Sequence, residues 1–504
     1  MTGGVTLNVT GMSMTFFDDP YVYLNTGGRL IKWDTTGNSD NFASRVIWNV
    51  SDPAPISLSI YSYSTIVDDL WVGVTDNATQ TNLGLSIRAQ SIIAVNTTNG
   101  QIVYNKAIGS GTDPNTWVYR QGPASGSGYG ILYFADIPYE NKGLGYIAFD
   151  VKTGNEAWVS ESSDPPWGNF WAYMPIPCGY GMVFAGSYSG MYAFNVTNGK
   201  IAWHYLADNS YNEEPYTSNV ASNGSSYSSY SFGSTGAIVG GGVVFAPVTE
   251  HSPTFIYRGQ QLHALDASTG QKIWSIQGVY APTAVAYGTL LASDTYNGFE
   301  YAFGKGNTAT TLLSSSKVMG KGERILLEGT VLDLSSAQSG TAAVSDADQK
   351  GWMEYLHMQQ PKPTNAKGVN VHLTAIDPNG NFQDIGTATT DLNGKYAIVW
   401  TPPVEGTYHV TATFDGTDSY YSSQDTSYFA VSPAPSPQVT AAPTPVTPVT
   451  PTPSGPQPTQ STSPSPSTAP PPASVDMTTT YIAIAAVVIV VAVVVAAIAL
   501  RRRK

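Results

Sequence analysis

The chain has 504 residues, of which only 12% are charged, with 49 Gly, 34 Pro, 31 Tyr and a formal net charge of −13, a composition that points to two or three domains of short strands joined by turns. Setting aside Arg501, Arg502, Arg503 and Lys504 leaves 19 basic against 36 acidic residues, or −17, a balance that repels phosphate backbones and excludes nucleic acid as a partner. Cys178 is the sole cysteine, so neither an intrachain disulfide nor a paired-cysteine metal knuckle can form.

The opening residues, MTGGVTLNVTGMSMTFFDDP, contain no basic n-region and no apolar h-region. Residues 1–306 repeat. The copies are AVNTTNGQIVY (94–104), AFDVKTGNEAW (148–158), AFNVTNGKIAW (193–203) and ALDASTGQKIW (264–274), each with Ala, Asp or Asn two later, Gly at +6 and an aromatic at +10. Degenerate relatives occur at IKWDTTGNSD (31–40) and EYAFGKGN (300–307). The steps between the alanines are 54, 45 and 71 residues, the scale of one four-stranded blade. The strand before the turn carries a small Ala where blades press together. The acidic or amide side chain caps the turn, and Gly takes a positive φ. The returning strand then wedges its Trp or Tyr against the neighbouring blade. Asp150, Gly154, Trp158, Asn195, Gly199, Trp203, Asp266, Gly270 and Trp274 are the structural positions of this unit.

The unit resembles the PQQ-like (quinoprotein-type) β-propeller repeat. The resemblance implies a propeller with six visible blades, and a ring of seven or eight if further residues precede the first. Quinoprotein alcohol dehydrogenases of that family use Ca²⁺, a catalytic Asp, an Arg near the quinone and commonly a disulfide between adjacent cysteines. The lone Cys178 rules out that disulfide, and Asp18-Asp19, Asp68-Asp69, Asp164 and Glu213-Glu214 fall in no recognisable Ca²⁺ ligand pattern. The chain has no GxSxG, HExxH or P-loop. Of its histidines, His251 follows Glu250 in a blade loop, His204 and His263 lie in the repeats, and His357, His372 and His409 lie beyond them. No catalytic, cofactor-binding or metal-binding residue is therefore assigned; PQQ and Ca²⁺ belong only to the alternative of a PQQ-dependent dehydrogenase.

Binding is the favoured expectation. DPPWGNFWAYMP (164–175) crowds Trp167, Phe170, Trp171 and Tyr173 between prolines, a set suited to stacking on sugars or a partner's apolar surface. The loop 208–236 is rich in Tyr, Ser, Asn and Gly, like adaptable binding loops, and offers Tyr211, Tyr216, Tyr227 and Tyr230. Sequons at Asn8, Asn49, Asn77, Asn96, Asn195 and Asn223 suit an exported, N-glycosylated surface.

Residues 316–432 alternate apolar and polar positions in at least five strands, with Asn-Gly turns at DPNGN and DLNGK, and resemble an Ig-like β-sandwich. The insertion SDADQKGWMEYLHMQQPKP (345–363) interrupts them. Ser345 with Asp348 there forms a capping-box pattern, predicting a short helix that ends before Pro361. Residues 433–479 form a Pro/Thr/Ser-rich linker expected to be disordered, with 15 prolines and no charge between 433 and 475. The transmembrane span is placed at 480–500, where Tyr481 to Leu500 gives twenty uncharged residues, about the ~20 that cross a bilayer. The basic tail 501–504 stays cytoplasmic by the positive-inside rule and places the bulk of the chain outside. An outside body requires export, so a signal peptide upstream of the first residue is expected. The whole resembles archaeal cell-surface proteins. The expected role is a membrane-anchored, single-pass extracellular binding or scaffolding protein that captures a surface protein or glycan. An envelope protein-assembly factor is the second alternative.

Overall fold

The computed structural model describes residues 14–26, 28–36, 41–51, 65–80, 86–109, 126–136, 145–164, 176–207, 214–221, 223–232, 236–249 and 258–433. The chain divides into two compact units, Met1–Ser436 and Pro437–Lys504. The second unit, with the 480–500 stretch, lies outside the described residues; among these, no helix is long and apolar enough to cross a membrane.

The fold is all-β, in many small antiparallel sheets. Six of them follow one another along the first part of the chain in a propeller-like series. Blade 1 comprises Met14–Asp18, Tyr21–Thr26, Arg29–Asp34 and Val46–Ser51; blade 2 comprises Thr65–Val67, Leu70–Gln80, Ser86–Asn96 and Ile102–Gly109. Blade 3 is Gly126–Gly128, Ile131–Asp136, Gly145–Asp150 and Glu156–Val159; blade 4 is Cys178–Gly179, Met182–Ser187, Gly190–Asn195 and Ile201–Tyr205. Blade 5 is Ile238–Gly240, Val243–Pro247, Gln261–Asp266 and Lys272–Gln277, and blade 6 has three strands, Tyr280–Ala286, Thr289–Asp294 and Glu300–Phe303. Within each blade the strands pair in chain order, inner strand first.

Core clusters join each blade to the next. Leu132, Phe134, Ile147 and Phe149 of blade 3 meet Val72, Ile92 and Ala94 of blade 2, while Phe184, Met191 and Trp203 of blade 4 meet Val244, Ala246 and Leu265 of blade 5. The repeated turn makes this stacking regular. Asp150 Oδ1 accepts the Thr153 N–H at 2.8 Å, Asn195 Oδ1 accepts Thr197 N–H at 2.8 Å, and Asp266 Oδ1 accepts Thr269 N–H at 2.8 Å. Gly270 has φ +71°, and a Cβ there would come 2.6 Å from the Trp203 ring of the preceding blade. Glycine is needed at that position both for the left-handed backbone and for the flat approach of the indole. Four wedge rings also donate to the following blade's turn: Trp48 Nε1–H to Thr97 O, Tyr104 O–H to Val151 O, Trp158 Nε1–H to Val196 O and Trp203 Nε1–H to Ala267 O, all at 2.6–3.0 Å. Gly154 and Gly199 lie under Tyr104 and Trp158 in the same way.

Blade 6 departs from the pattern. After Glu300–Phe303 the chain turns through residues 304–307, and the next strand, Thr308–Ser314, pairs with Ile325–Asp333 instead of closing the blade. The second β region thus begins at Thr308, not at 316 as expected, because this Thr-rich strand carries neither the repeat motif nor strong alternation. Two sheets face one another there: Thr308–Ser314, Ile325–Asp333 and Lys395–Trp400 against Val318–Gly320, Ser423–Ser432, Gly406–Phe414, Asn370–Ile376 and Phe382–Thr389. Leu312, Leu327, Val371, Val410 and Phe429 fill the space between them. Tyr408 closes the sandwich's corner, donating its hydroxyl to Val404 O and accepting Val404 N–H, both at 2.9 Å.

The inserted helix α1, Gln349–His357, follows a short 3-10 turn at Asp346–Asp348. Ser345 does not cap a backbone N–H; its hydroxyl donates to Asp348 Oδ2 at 2.6 Å, and that carboxylate accepts the Lys367 N–H. The helix packs on blades 5 and 6. Wholly buried Glu354 accepts the Gln277 N–H at 2.8 Å, Met353 and Met358 enter the blade 5–6 core, and His357 meets Tyr301 edge to face. Trp274 correspondingly stacks on Phe303 at 5.9 Å, and Gly298 has open space where the other turn glycines meet a ring.

Candidate functional site

The aromatic sites expected from sequence separate into two groups. Trp167, Phe170, Trp171, Tyr173 and Tyr211 lie outside the described residues, as do His251, Asn8 and Glu213. Tyr216 lies in the strand Tyr216–Val220, which pairs with Ser226–Ser229. Tyr230 is wholly buried in the blade 4–5 core, which corrects its expected role as a binding contact. The cause is local: Phe232 N–H donates to Ser187 O and Thr249 N–H donates to Ser231 O, both at 3.0 Å, so this stretch sutures blades 4 and 5. A Cβ on Gly186 would sit 1.8 Å from Phe232 O, so the suture is tight.

Tyr227 stands edge to face with His204 at 6.1 Å, and His204 stacks on Tyr192 at 4.1 Å and 11°. His204 Nε2 is 2.7 Å from Ser189 O, and since a carbonyl only accepts, this nitrogen carries the hydrogen. Withdrawal of the ring from water lowers its pKa. Ser189 Oγ donates to Asp164 O at 2.8 Å and Tyr192 Oη accepts the Asp164 N–H at 3.1 Å, so the cluster anchors Asp164. Most of its polar groups are engaged with one another and with the Asp164 and Ser189 backbone. His263 is wholly buried, its Nδ1 3.1 Å from the Tyr205 hydroxyl, its Nε2 without a partner and its pKa pushed down to about 3 by burial. Cys178 is half-buried beside Gly128, and burial raises its thiol to about 11, far from a nucleophile's range. Of the sequon residues, Asn96 and Asn195 spend their side-chain carbonyls on their own turns, Asn49 accepts from Arg29, and Asn223 sits exposed in a turn. Among the described residues, no group of three or more His, Cys, Asp and Glu could hold a metal ion.

The opposite end of the blades presents a different surface. Each inner strand turns into its neighbour through two residues: Asp68-Asp69, Tyr129-Gly130, Tyr180-Gly181, Gly241-Gly242 and Tyr287-Gly288 in blades 2 to 6. Asp68, Tyr129, Tyr180 and Tyr287 hold φ of 51–52°, a conformation costing a non-glycine residue about 1–2 kcal/mol. Tyrosine is an unexpected choice there, since Asn, Asp and Gly fill such turns most readily. The rings are exposed at 61%, 48% and 106% for Tyr129, Tyr180 and Tyr287. Two of them bridge blades: Gly181 N–H donates to Tyr129 Oη at 2.9 Å and Gly242 N–H donates to Tyr180 Oη at 2.7 Å. Tyr180 therefore reaches over the Gly241-Gly242 turn, where no side chain stands and open space lies above. Tyr287 has no following blade in the series. The matching position in blade 1 is Pro20, in the Asp19-Pro20 turn, and a proline has no N–H to give.

The repeat turns lie beside these inner turns. Val151 N–H donates to Gly130 O, Val196 N–H to Gly181 O and Ala267 N–H to Gly242 O. Lys152 bonds Asp68 of the neighbouring blade at 2.7 Å. One end of the series is thus a row of exposed, fixed tyrosines rimmed by Thr, Asn and Ser. The sequence carried the signal, a Tyr-Gly pair before the apolar strands ILYF, MVF and TLL.

No family model matches the chain, and no curated protein matches it. Among solved structures it is similar to BamB from Moraxella catarrhalis, with 17% identity over 57% of this chain and 80% of that one and a TM-score of 0.27. It is also similar to Kluyveromyces lactis Hsv2, with 10% identity over 67% of this chain and 83% of that one and a TM-score of 0.29. A third similarity, to the extracellular domain of a hybrid two-component system from B. thetaiotaomicron, has 11% identity over 82% of this chain and 48% of that one, with a TM-score of 0.26.

Proposed function

We propose that the chain is a membrane-anchored cell-surface protein whose PQQ-like propeller head binds or scaffolds without catalysing a reaction, and needs no cofactor. An Ig-like sandwich serves as its spacer, and the Pro/Thr/Ser-rich stretch as its stalk. The observation that carries the binding role is the row Tyr129, Tyr180 and Tyr287. Three left-handed tyrosines keep their rings in solvent at one end of the blades, where folding alone would favour glycine or asparagine. Tyr129 and Tyr180 also tie neighbouring blades through their hydroxyls, so ligand contact is indicated most directly by Tyr287, strained and fully exposed without such a bond among the described residues. The Tyr408 corner supports the Ig-like reading of the sandwich. The apolar run Tyr481–Leu500 with RRRK behind it supports the anchor and its orientation.

Topology is tested by protease shaving of intact cells that make the chain. Fragments from the blades should appear in the medium while the C-terminal tail stays with the cells. A head that remains protected until the cells are lysed would overturn the surface assignment.

A further inference from the structure

We infer that the tyrosine end takes a neutral, extended polysaccharide; this rests on the binding role proposed above and names its ligand class. The rings are fixed before any ligand arrives. The hydroxyls of Tyr129 and Tyr180 are held by the N–H groups of Gly181 and Gly242, so these two rings are tethered across neighbouring blades while remaining about half exposed. A sugar ring presents a C–H face that stacks on such a surface and a rim of hydroxyls that needs donors and acceptors. The neighbouring turns supply those as exposed Thr98, Asn99, Thr197, Asn198, Ser268 and Thr269.

Charge points the same way. The carboxylates of Asp150 and Asp266 accept hydrogen bonds from their own turns, and Asp68 is paired with Lys152. The turns of blades 3 to 5 therefore offer a ligand hydroxyls and amides beside carboxylates already engaged by their own turns, while Asp69 and Asp19 stand exposed at the turns of blades 2 and 1. A protein partner would be met by a contiguous apolar patch that excludes water around a central anchor. Here polar turns separate the rings. Packed sheets lie ~10 Å apart, so the rings of Tyr129 and Tyr180, on successive blades, stand about one blade spacing apart, with Tyr287 two blades beyond Tyr180. Gly241-Gly242, with open space above its Cα atoms, lets the polymer lie close to the backbone between Tyr180 and Tyr287.

The test uses the full chain in detergent with cellohexaose, laminarihexaose and maltohexaose as probes, followed by calorimetry. At least one should bind. Tyr287→Ala should weaken it about tenfold, the order of one lost aromatic contact, whereas Tyr287→Trp should retain it. Tyr287 is fully exposed and bonds no other blade among the described residues, so this variant is expected to keep the fold, which circular dichroism checks. Binding of none of the three at millimolar concentration overturns the ligand class. A second measurement separates this failure from failure of the binding role: capture of envelope fragments from cells displaying the chain. If Tyr287→Ala lowers capture and periodate treatment of the fragments abolishes it, the polysaccharide stands. If Tyr287→Ala lowers capture but only protease treatment abolishes it, the ligand is a protein and the polysaccharide falls. If neither Tyr287→Ala nor Tyr180→Ala alters capture, both readings fall.

Discussion

Trp203→Ala is expected to destabilise the head by about 3–5 kcal/mol, the range for truncating a large buried aromatic. The indole is 8% exposed, packs against Phe184 at 5.8 Å, covers the left-handed Gly270 and donates to Ala267 O at 3.0 Å. Truncation removes the ring from the blade 4–5 core and leaves the Ala267 carbonyl buried without its donor. Urea unfolding of the full chain should show a lower midpoint. Trp203→Phe should recover most of the packing but not the hydrogen bond. The companion variant Gly270→Ala should lose stability by a different route, since its Cβ would be driven into the Trp203 ring. A midpoint unchanged by both variants would mean that the repeat turn does not hold neighbouring blades together.

The second large effect is acid sensitivity centred on His263. Its pKa is about 3 in the folded protein against an ordinary 6.5, because burial opposes the charged ring and Lys350 adds like charge. Between those values the unfolded chain takes up a proton that the folded chain refuses. Stability therefore falls as pH drops from 6.5 towards 3, by up to about 1.4 kcal/mol per pH unit. Above 6.5 this histidine contributes no slope. His204 and His357, both lowered by burial, act in the same direction. His263→Gln should lower stability at neutral pH yet flatten its dependence between pH 6.5 and 4.5. Because the slope and not the level is compared, a general loss of stability would not imitate the result. An unaltered slope would show that His263 is readily protonated in the fold.

The arrangement of the blades was largely legible, because each copy of the repeat combines three local requirements: a capping carboxylate or amide, a left-handed glycine and a wedge aromatic. Asp150, Gly154 and Trp158 show all three in eleven residues. The fate of the sixth blade was not legible. Nothing local in TATTLLS says that it will pair with Ile325–Asp333 in place of its own blade, since pairing partners are a long-range choice. The docking of α1 was hidden likewise: Glu354 reads as a solvated helix residue, and only the fold brings the Gln277 N–H to it.

The functional residues divide on the same ground. Tyr227 and Tyr230 sit in a Tyr/Ser/Asn-rich stretch whose composition fits a binding loop and an inter-blade suture equally well, and burial of Tyr230 decides for the suture. Tyr129, Tyr180 and Tyr287 were visible as recurring Tyr-Gly pairs. Their importance needed the positive φ and exposure that only coordinates supply.

The proposed role of the tyrosine end is tested most directly by tyrosine nitration of the full chain, on intact cells and after purification, with modified residues mapped by mass spectrometry. Tyr287 should be nitrated rapidly in the purified chain and be protected on cells, where its ligand is present, with Tyr129 and Tyr180 following the same pattern more weakly. Equal nitration of Tyr287 in both settings would show that nothing covers this end of the blades, and would contradict its role as the binding face.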